Sequence, residues 1–154
     1  MLPAVTGARP RFVVVEDGTE YLDRFSKFLG DEFTFVAARD FETASGLASG
    51  ADGLLLDLDF RRTPPERLVD ERGPVGVVPD ADRRRRLAET QGILILRLLR
   101  AGGVTLPAVL FADLDDAERA RFLERTLAPL TIGSSQLGIR EIGALMRAAL
   151  AAPA

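Results

Sequence analysis

The chain of 154 residues contains no cysteine, no histidine and no tryptophan, and these absences exclude whole classes of chemistry. Without cysteine there are no disulfides, thiolate metal sites or cysteine nucleophiles. Without histidine there is no Ser-His-Asp triad, no histidine-ligated zinc and no phosphohistidine. Carboxylate, hydroxyl, Lys and Arg chemistry remain. No apolar run approaches the roughly 20 residues that span a bilayer, and residues 1–10 lack the basic and apolar blocks of a signal peptide. A cytoplasmic location without a membrane partner is therefore expected. A net charge of -3 argues against general nucleic-acid binding, which needs a basic face to neutralise phosphates. The local exception is the run Arg83, Arg84, Arg85 and Arg86, which reads as a solvated helix face or a contact for an acidic partner.

The hydrophobic content of 47% suffices for one sizeable core, and nothing divides the chain into two. Strand-like apolar runs lie at 12–15, 33–37, 53–56, 108–111 and 130–132, without the polar alternation of a half-exposed sheet. Helical patterns fall between them. Tyr21, Phe25, Phe28 and Leu29 share one face ahead of Gly30, residues 41–49 precede Gly50, and 93–99 run into Ala101-Gly102-Gly103. Asp115 and Asp116 suit the start of a fourth helix, and 139–150 form a last amphipathic one. The order predicts an α/β fold, a doubly wound, flavodoxin-like sheet of five parallel strands. Residues 1–10 are expected to form a flexible tail, 11–150 the domain and 151–154 a C-terminal tail, so that a module ending here would act by docking.

Asp57 closes the run at 53–56, while Glu16 and Asp17 close the run at 12–15. If these strands are neighbours, three carboxylates meet at the sheet edge where open α/β folds place their chemistry. Such an oxygen-rich cluster suits Mg²⁺. A long insertion at about 61–91, with Pro64, Pro65, Gly73, Pro74 and Gly76, leaves the same strand end as Asp57. Its loop-like composition and few apolar anchors fit either a lid or docking arm beside the acidic cluster, or a mobile surface insertion. Within it, residues 80–89 suit a short charged helix capped by Asp80 or Asp82. Thr19-Glu20 reads as a helix start, Asp113, Asp115 and Asp116 as a solvated one, and 133–138 as a Gly/Ser turn or an anion cradle.

The acidic pair after Arg11-Phe-Val-Val-Val, the stretch Ala51-Asp52-Gly-Leu-Leu-Leu-Asp57 and the lead-in Leu106-Pro107 resemble, in order and spacing, the receiver domain of bacterial two-component response regulators. The resemblance covers the chain apart from the insertion and the tails. It implies that Asp57 is the phosphoacceptor, and that Glu16, Asp17, Asp57 and the backbone carbonyl of Asp59 hold Mg²⁺. It implies a signalling protein as partner, such as a histidine kinase, and self-association through the last helix region.

The second half of the receiver pattern is altered. Ala112 stands where the family has Ser or Thr, Leu130 where it has an aromatic switch residue, and Gly133 where it has Lys. Arg61 or Arg62 are the candidate substitutes for the cation, and Ser134 or Ser135 for the hydroxyl. The expected function is an atypical or pseudo-receiver that acts by protein-protein contact, not as an enzyme. The alternative is a response regulator phosphorylated on Asp57 with Mg²⁺, autocatalytic in its own phosphorylation. A remote alternative takes Asp57-Leu58-Asp59 as the Asp-x-Asp of a Toprim-like or haloacid-dehalogenase-like Mg²⁺ hydrolase.

Overall fold

The computed structural model describes residues 8–152. Strand β1 (Arg11–Val15), helix α1 (Glu20–Leu29), strand β2 (Thr34–Ala38), helix α2 (Phe41–Ala48) and strand β3 (Gly53–Asp57) follow one another. A one-turn 3₁₀ helix (Pro65–Arg67), short strands β4 (Val69–Asp70) and β5 (Gly73–Pro74), and helix α3 (Ala81–Glu89) come next. Helix α4 (Gln91–Ala101), strand β6 (Ala108–Phe111), helix α5 (Ala117–Thr126), strand β7 (Leu130–Gly133) and helix α6 (Ile139–Ala151) complete the order. The five main strands are parallel in the order β2-β1-β3-β6-β7, and β4-β5 is a separate antiparallel pair. The chain winds one way from β1 to β2 and the other way from β3 onward, which puts the topological switch point between β1 and β3.

Strands β1, β3 and β6 are buried almost throughout, as unbroken apolar sequence requires when helices cover both faces. Val13, Val15, Leu54, Leu56 and Leu110 point into one layer with Ala44 of α2, Ile95 and Leu99 of α4 and Leu123 of α5. Phe12, Val14, Leu55, Val109 and Phe111 point into the other with Phe25 of α1 and Ile142 and Met146 of α6. Short polar side chains start three of the helices: Asp40 accepts from Thr43 N, Asp80 from Arg83 N and Asp116 from Glu118 N. Arg100 joins the far end of α4 to two later segments. Its half-buried guanidinium donates to the carbonyls of Val104, Leu106, Leu127 and Pro129.

Several boundaries differ from expectation. The second strand starts at Thr34, because Phe33 turns inward to meet Phe12 edge-on with ring centroids 5.5 Å apart. The third expected helix begins at Gln91 and runs to Ala101. Ala151 belongs to α6 and not to a tail. The expected N-terminal tail lies outside the described residues except at its end, where Arg9 donates to Gly30 O and Pro10 O accepts from Thr34 N at 2.9 Å.

The insertion holds more apolar anchors than its composition suggests. Phe60, Leu68, Val69 and Leu87 are all buried in the first core layer. Gln91 fixes the segment from within: its amide donates to Val69 O and Leu87 O, both at 3.1 Å, and accepts from Val69 N at 2.8 Å. It thereby acts as a strand partner for β4, every polar atom satisfied in a dry setting. Beside it Gly92 N donates to Leu58 O at 3.0 Å, and a Cβ at Gly92 would overlap the carbonyl of Asp57. Only glycine permits so close an approach between α4 and the end of β3.

Gln91→Ala should strand the polar groups of Val69 and cost about 1–3 kcal/mol, read as a lowered urea midpoint. Arg83→Ala, which removes an exposed ion pair to Asp70, should leave the midpoint close to wild type. Equal midpoints for Gln91→Ala and wild type would show that the amide does not hold the insertion.

Candidate functional site at the carboxyl edge of the sheet

Register assembles the edge. Asp57 lies beside Phe111, which lies beside Gly133, and Val15 pairs with Leu56, so Glu16 and Asp17 step off β1 next to Asp57. Proximity of the backbones does not bring the three carboxylates onto one point, because each has found a different partner.

Glu16 is buried and turned toward the start of α1, where its two oxygens accept from Tyr21 N at 3.1 Å and Leu22 N at 2.9 Å. It satisfies helix amides that would otherwise be orphaned and sits at the positive end of the helix dipole. Burial raises its pKa, and those two amides work against the rise. Asp17 is held by Arg62 of the insertion. One oxygen accepts from the Arg62 backbone N at 2.9 Å and the other from Nη2 at 3.0 Å. The same guanidinium forks onto Glu20, donating from Nη1 and Nη2 at 2.9 Å each. This charge-assisted pair holds the Glu20 carboxyl down at about 2 and raises the guanidinium pKa. Gly18 lies directly beneath, where any Cβ would overlap Glu20 Oε1 and the guanidinium.

Asp57 is half-buried and, among the described residues, accepts only from its neighbour Leu58 N, at 2.9 Å. Burial is the main cause that pushes its pKa up to about 6; Asp17 and Asp59 add to the rise, while the Leu58 amide and Arg62 oppose it. Tyr21 stacks on Phe111 with centroids 5.1 Å apart, and its phenol is pushed up to about 12 by burial and by the charge of Asp57. Asp59 pairs with Arg61 at 2.7 Å, and its other oxygen is buried without a hydrogen-bond partner among the described residues.

The remaining candidate residues spread along the edge. Ala112 is buried and donates from N to Gly133 O at 2.9 Å. Leu130 packs against the first core layer. At Gly133 an added Cβ would stand 3.1 Å from methyls of both Leu137, in the loop after β7, and Leu145 of α6, so the place where a Lys stem would start is crowded. Ser134 donates to Asp113 at 2.9 Å, and Ser135 donates to the same carboxylate. Both hydroxyls thus serve the loop after β6. Beside Arg62 a cavity of about 610 Å³ opens between the insertion and β1-β2, lined by Asp17, Arg39, Asp40, Thr63 and Arg67. Arg67 closes one wall through a 2.7 Å bond to Asp40.

The residues as arranged do not fit a divalent cation. Among the described residues no three carboxylates stand close enough to share one. Both oxygens of Glu16 face helix amides, and both oxygens of Asp17 face the cationic Arg62. Of the expected ligand set Glu16, Asp17, Asp57 and Asp59 O, Glu16 and Asp17 are thus engaged by other partners in this conformation.

No protein-family model matches the sequence, and no curated protein sequence does. Solved structures do. The receiver domain of Francisella response regulator 1452 aligns with 92% of this chain and 97% of its own, with a TM-score of 0.65 at 15% identity. The BeF3-activated N-terminal receiver domain of Klebsiella pneumoniae RstA aligns over 92% and 99%, with a TM-score of 0.62 at 19% identity. The non-phosphorylated HemR receiver domain of Leptospira biflexa aligns over 95% and 98%, with a TM-score of 0.62 at 15% identity. The chain has the fold of response-regulator receiver domains. Likeness at these identities establishes architecture, and function has to be argued from the site.

Sequence reading located Asp57, Glu16 and Asp17 but missed Glu20, read there only as a helix start, and Tyr21. The available signal for Glu20 was its place one helical step after the acidic pair, where a cation bound to Asp17 also reaches.

The pH dependence of Asp57 can be tested. Its ordinary value is 3.8 and its folded value about 6, so folding takes up a proton between them and ionised Asp57 opposes folding. The penalty is absent below the ordinary carboxylate range and complete above about pH 6. Asp57→Asn should therefore raise the urea midpoint near neutral pH and above, with the advantage shrinking as pH falls through that window. A pH-independent difference would contradict the assignment.

Proposed function

We propose that this chain is a receiver-fold signalling module that works by binding a protein partner, with its phosphoacceptor chemistry suspended by an internal cation. One observation carries the reading: Arg62 makes four hydrogen bonds to Asp17 and Glu20 at the switch point of the sheet. Phosphoryl transfer to a carboxylate needs its charge neutralised by a positioned cation that also orients the transferred oxygens. Mg²⁺ would supply that role if bound. A guanidinium already forked onto two carboxylates places one positive charge at the edge and occupies both oxygens of Asp17 that a metal would need.

The readout half of the site supports the same conclusion. Ala112 offers no hydroxyl to a phosphoryl oxygen, Gly133 offers no ammonium, and Ser134 and Ser135 are engaged by Asp113. A switch needs a group that changes partner when charge arrives, and these positions carry none. The Asp-x-Asp hydrolase alternatives gain no support, since Asp57 and Asp59 stand at the end of the third strand of the receiver sheet order and not after the first.

A second reading, phosphorylation on Asp57, is favoured by the state of Asp57 itself. It has one local hydrogen bond and remains half-buried, not sealed. Intact-mass analysis after incubation with acetyl phosphate and MgCl₂ separates the two. Wild type should gain no adduct, and Mg²⁺ titrated by calorimetry should give no binding heat until Arg62→Ala frees Asp17. An adduct on wild type that disappears in Asp57→Asn would overturn the proposal in favour of the phosphoacceptor.

A further inference from the structure

The insertion carries a second surface, along helix α3. Helix α3 places Ala81, Arg84, Arg85 and Ala88 at helical spacing along one flank, and together with Arg61 and Glu89 they line a groove of about 450 Å³. Its lining combines two alanines, Ala88 buried and Ala81 exposed, with the guanidinium groups of Arg61, Arg84 and Arg85. Immediately before the helix, Val77 and Val78 are 78% and 64% exposed, among the most exposed large apolar side chains described. They stand just upstream of Asp80, which caps α3, so the apolar tip leads directly into the basic groove.

The charges of this groove are weakly committed. Arg84 makes no side-chain hydrogen bond among the described residues. Arg85 meets Asp82 at 3.3 Å with both side chains mostly exposed, and Arg61 is 79% exposed in its pair with Asp59. Exposed pairs of this kind contribute roughly 0–1 kcal/mol each, so an incoming carboxylate displaces them at small cost. Four consecutive arginines in a chain of net charge -3 are thus held out on a folded arm, in company with uncovered valines.

Resting on the reading of this chain as a protein-binding module, we propose that the α3 groove and the Val77-Val78 tip form its docking surface for an acidic segment of a partner protein that also carries apolar side chains. Charge complementarity selects the acidic residues: carboxylates meet Arg61, Arg84 and Arg85. Apolar side chains of the same segment cover the two alanines and the two valines. A nucleic-acid backbone fits less well, because it would leave the valines uncovered and meet the carboxylate of Glu89 at the rim. Buried apolar anchors within a charged rim are the ordinary layout of a protein-protein contact.

The test uses the full chain and a fluorescein-labelled synthetic helical peptide with Glu on one face and Leu on the other. Anisotropy should show binding that weakens with added NaCl, and it should fall roughly tenfold or more for Arg84→Glu/Arg85→Glu, the scale of lost charge-assisted contacts. Val77→Asp/Val78→Asp should weaken it as well, and a peptide with Ser replacing Leu should bind poorly. These are solvent-exposed positions, so circular dichroism should report the wild-type fold for both variants. No peptide binding, binding unchanged in the variants, or tighter binding to a duplex DNA oligonucleotide would overturn the proposal. The assay contains no phosphoryl donor, so its failure leaves the closed acidic edge standing, while an adduct on Asp57 would overturn that edge and leave the groove standing.

Discussion

The contact between the carbonyl of Asp57 and the α-carbon of Gly92 sets the terms for the rest of the structure. It forces the chain to return, after the whole insertion, to the strand end from which it departed. A loop with coincident ends cannot wander, and closing it costs conformational entropy that contacts within the loop have to offset. Phe60, Leu68, Val69 and Leu87 supply apolar burial, and Gln91 supplies two hydrogen bonds that satisfy the buried Val69 backbone and a third to Leu87 O. With both ends fixed beside Asp57, the first residues of the insertion have only one region to cross. That region is the carboxyl edge, and Arg62 falls on it.

The electrostatics of the edge follow from this placement. Several carboxylates at the end of a parallel sheet repel one another, and burial raises the cost of each charge. The chain relieves the repulsion in three separate ways: Glu16 takes helix amides, Asp17 and Glu20 share one guanidinium, and Asp57 holds its proton more tightly than an exposed aspartate would. Only the second of these uses a full positive charge. The planar fork of arginine suits it, because one side chain reaches two carboxylates that diverge from each other. A spherical metal ion needs its ligands to converge, and here they do not.

How much of this was legible in the sequence depended on the range of the interaction responsible. Strands β1, β3 and β6 announced themselves through unbroken apolar runs, and Asp80 and Asp116 announced helices, since a cap acts over two or three residues. Asp57, Glu16 and Asp17 could be placed because strand order and period are regular. The insertion was misread as poorly anchored for the opposite reason. Its apolar residues are single and irregularly spaced, so no period exists to detect, and its key polar anchor, Gln91, acts on Val69 across 22 positions. The turn of Glu16 toward α1 was hidden as well: an acidic pair at a strand end reads identically whether its members face a metal, a helix amide or an arginine. What decided between them was Arg62, whose partners lie 45 and 42 positions away.

The latch and the groove share one arm, and thermodynamics then constrains how they relate. Arg61 and Arg62 are adjacent, one facing Asp59 and the groove, the other facing Asp17 and Glu20. A ligand that binds equally well whether Arg62 is seated or released leaves the acidic edge unchanged, however tightly it binds. A ligand that prefers one of the two states shifts the latch by the free energy of that preference, and the state of the latch alters the ligand's affinity by the same amount. Under the proposed docking role, such a preference would let the insertion transmit a signal without any chemistry at Asp57. The requirement is that Arg61 adopt different positions in the two states, and its short backbone tether to Arg62 makes independence of the two side chains the harder arrangement to build.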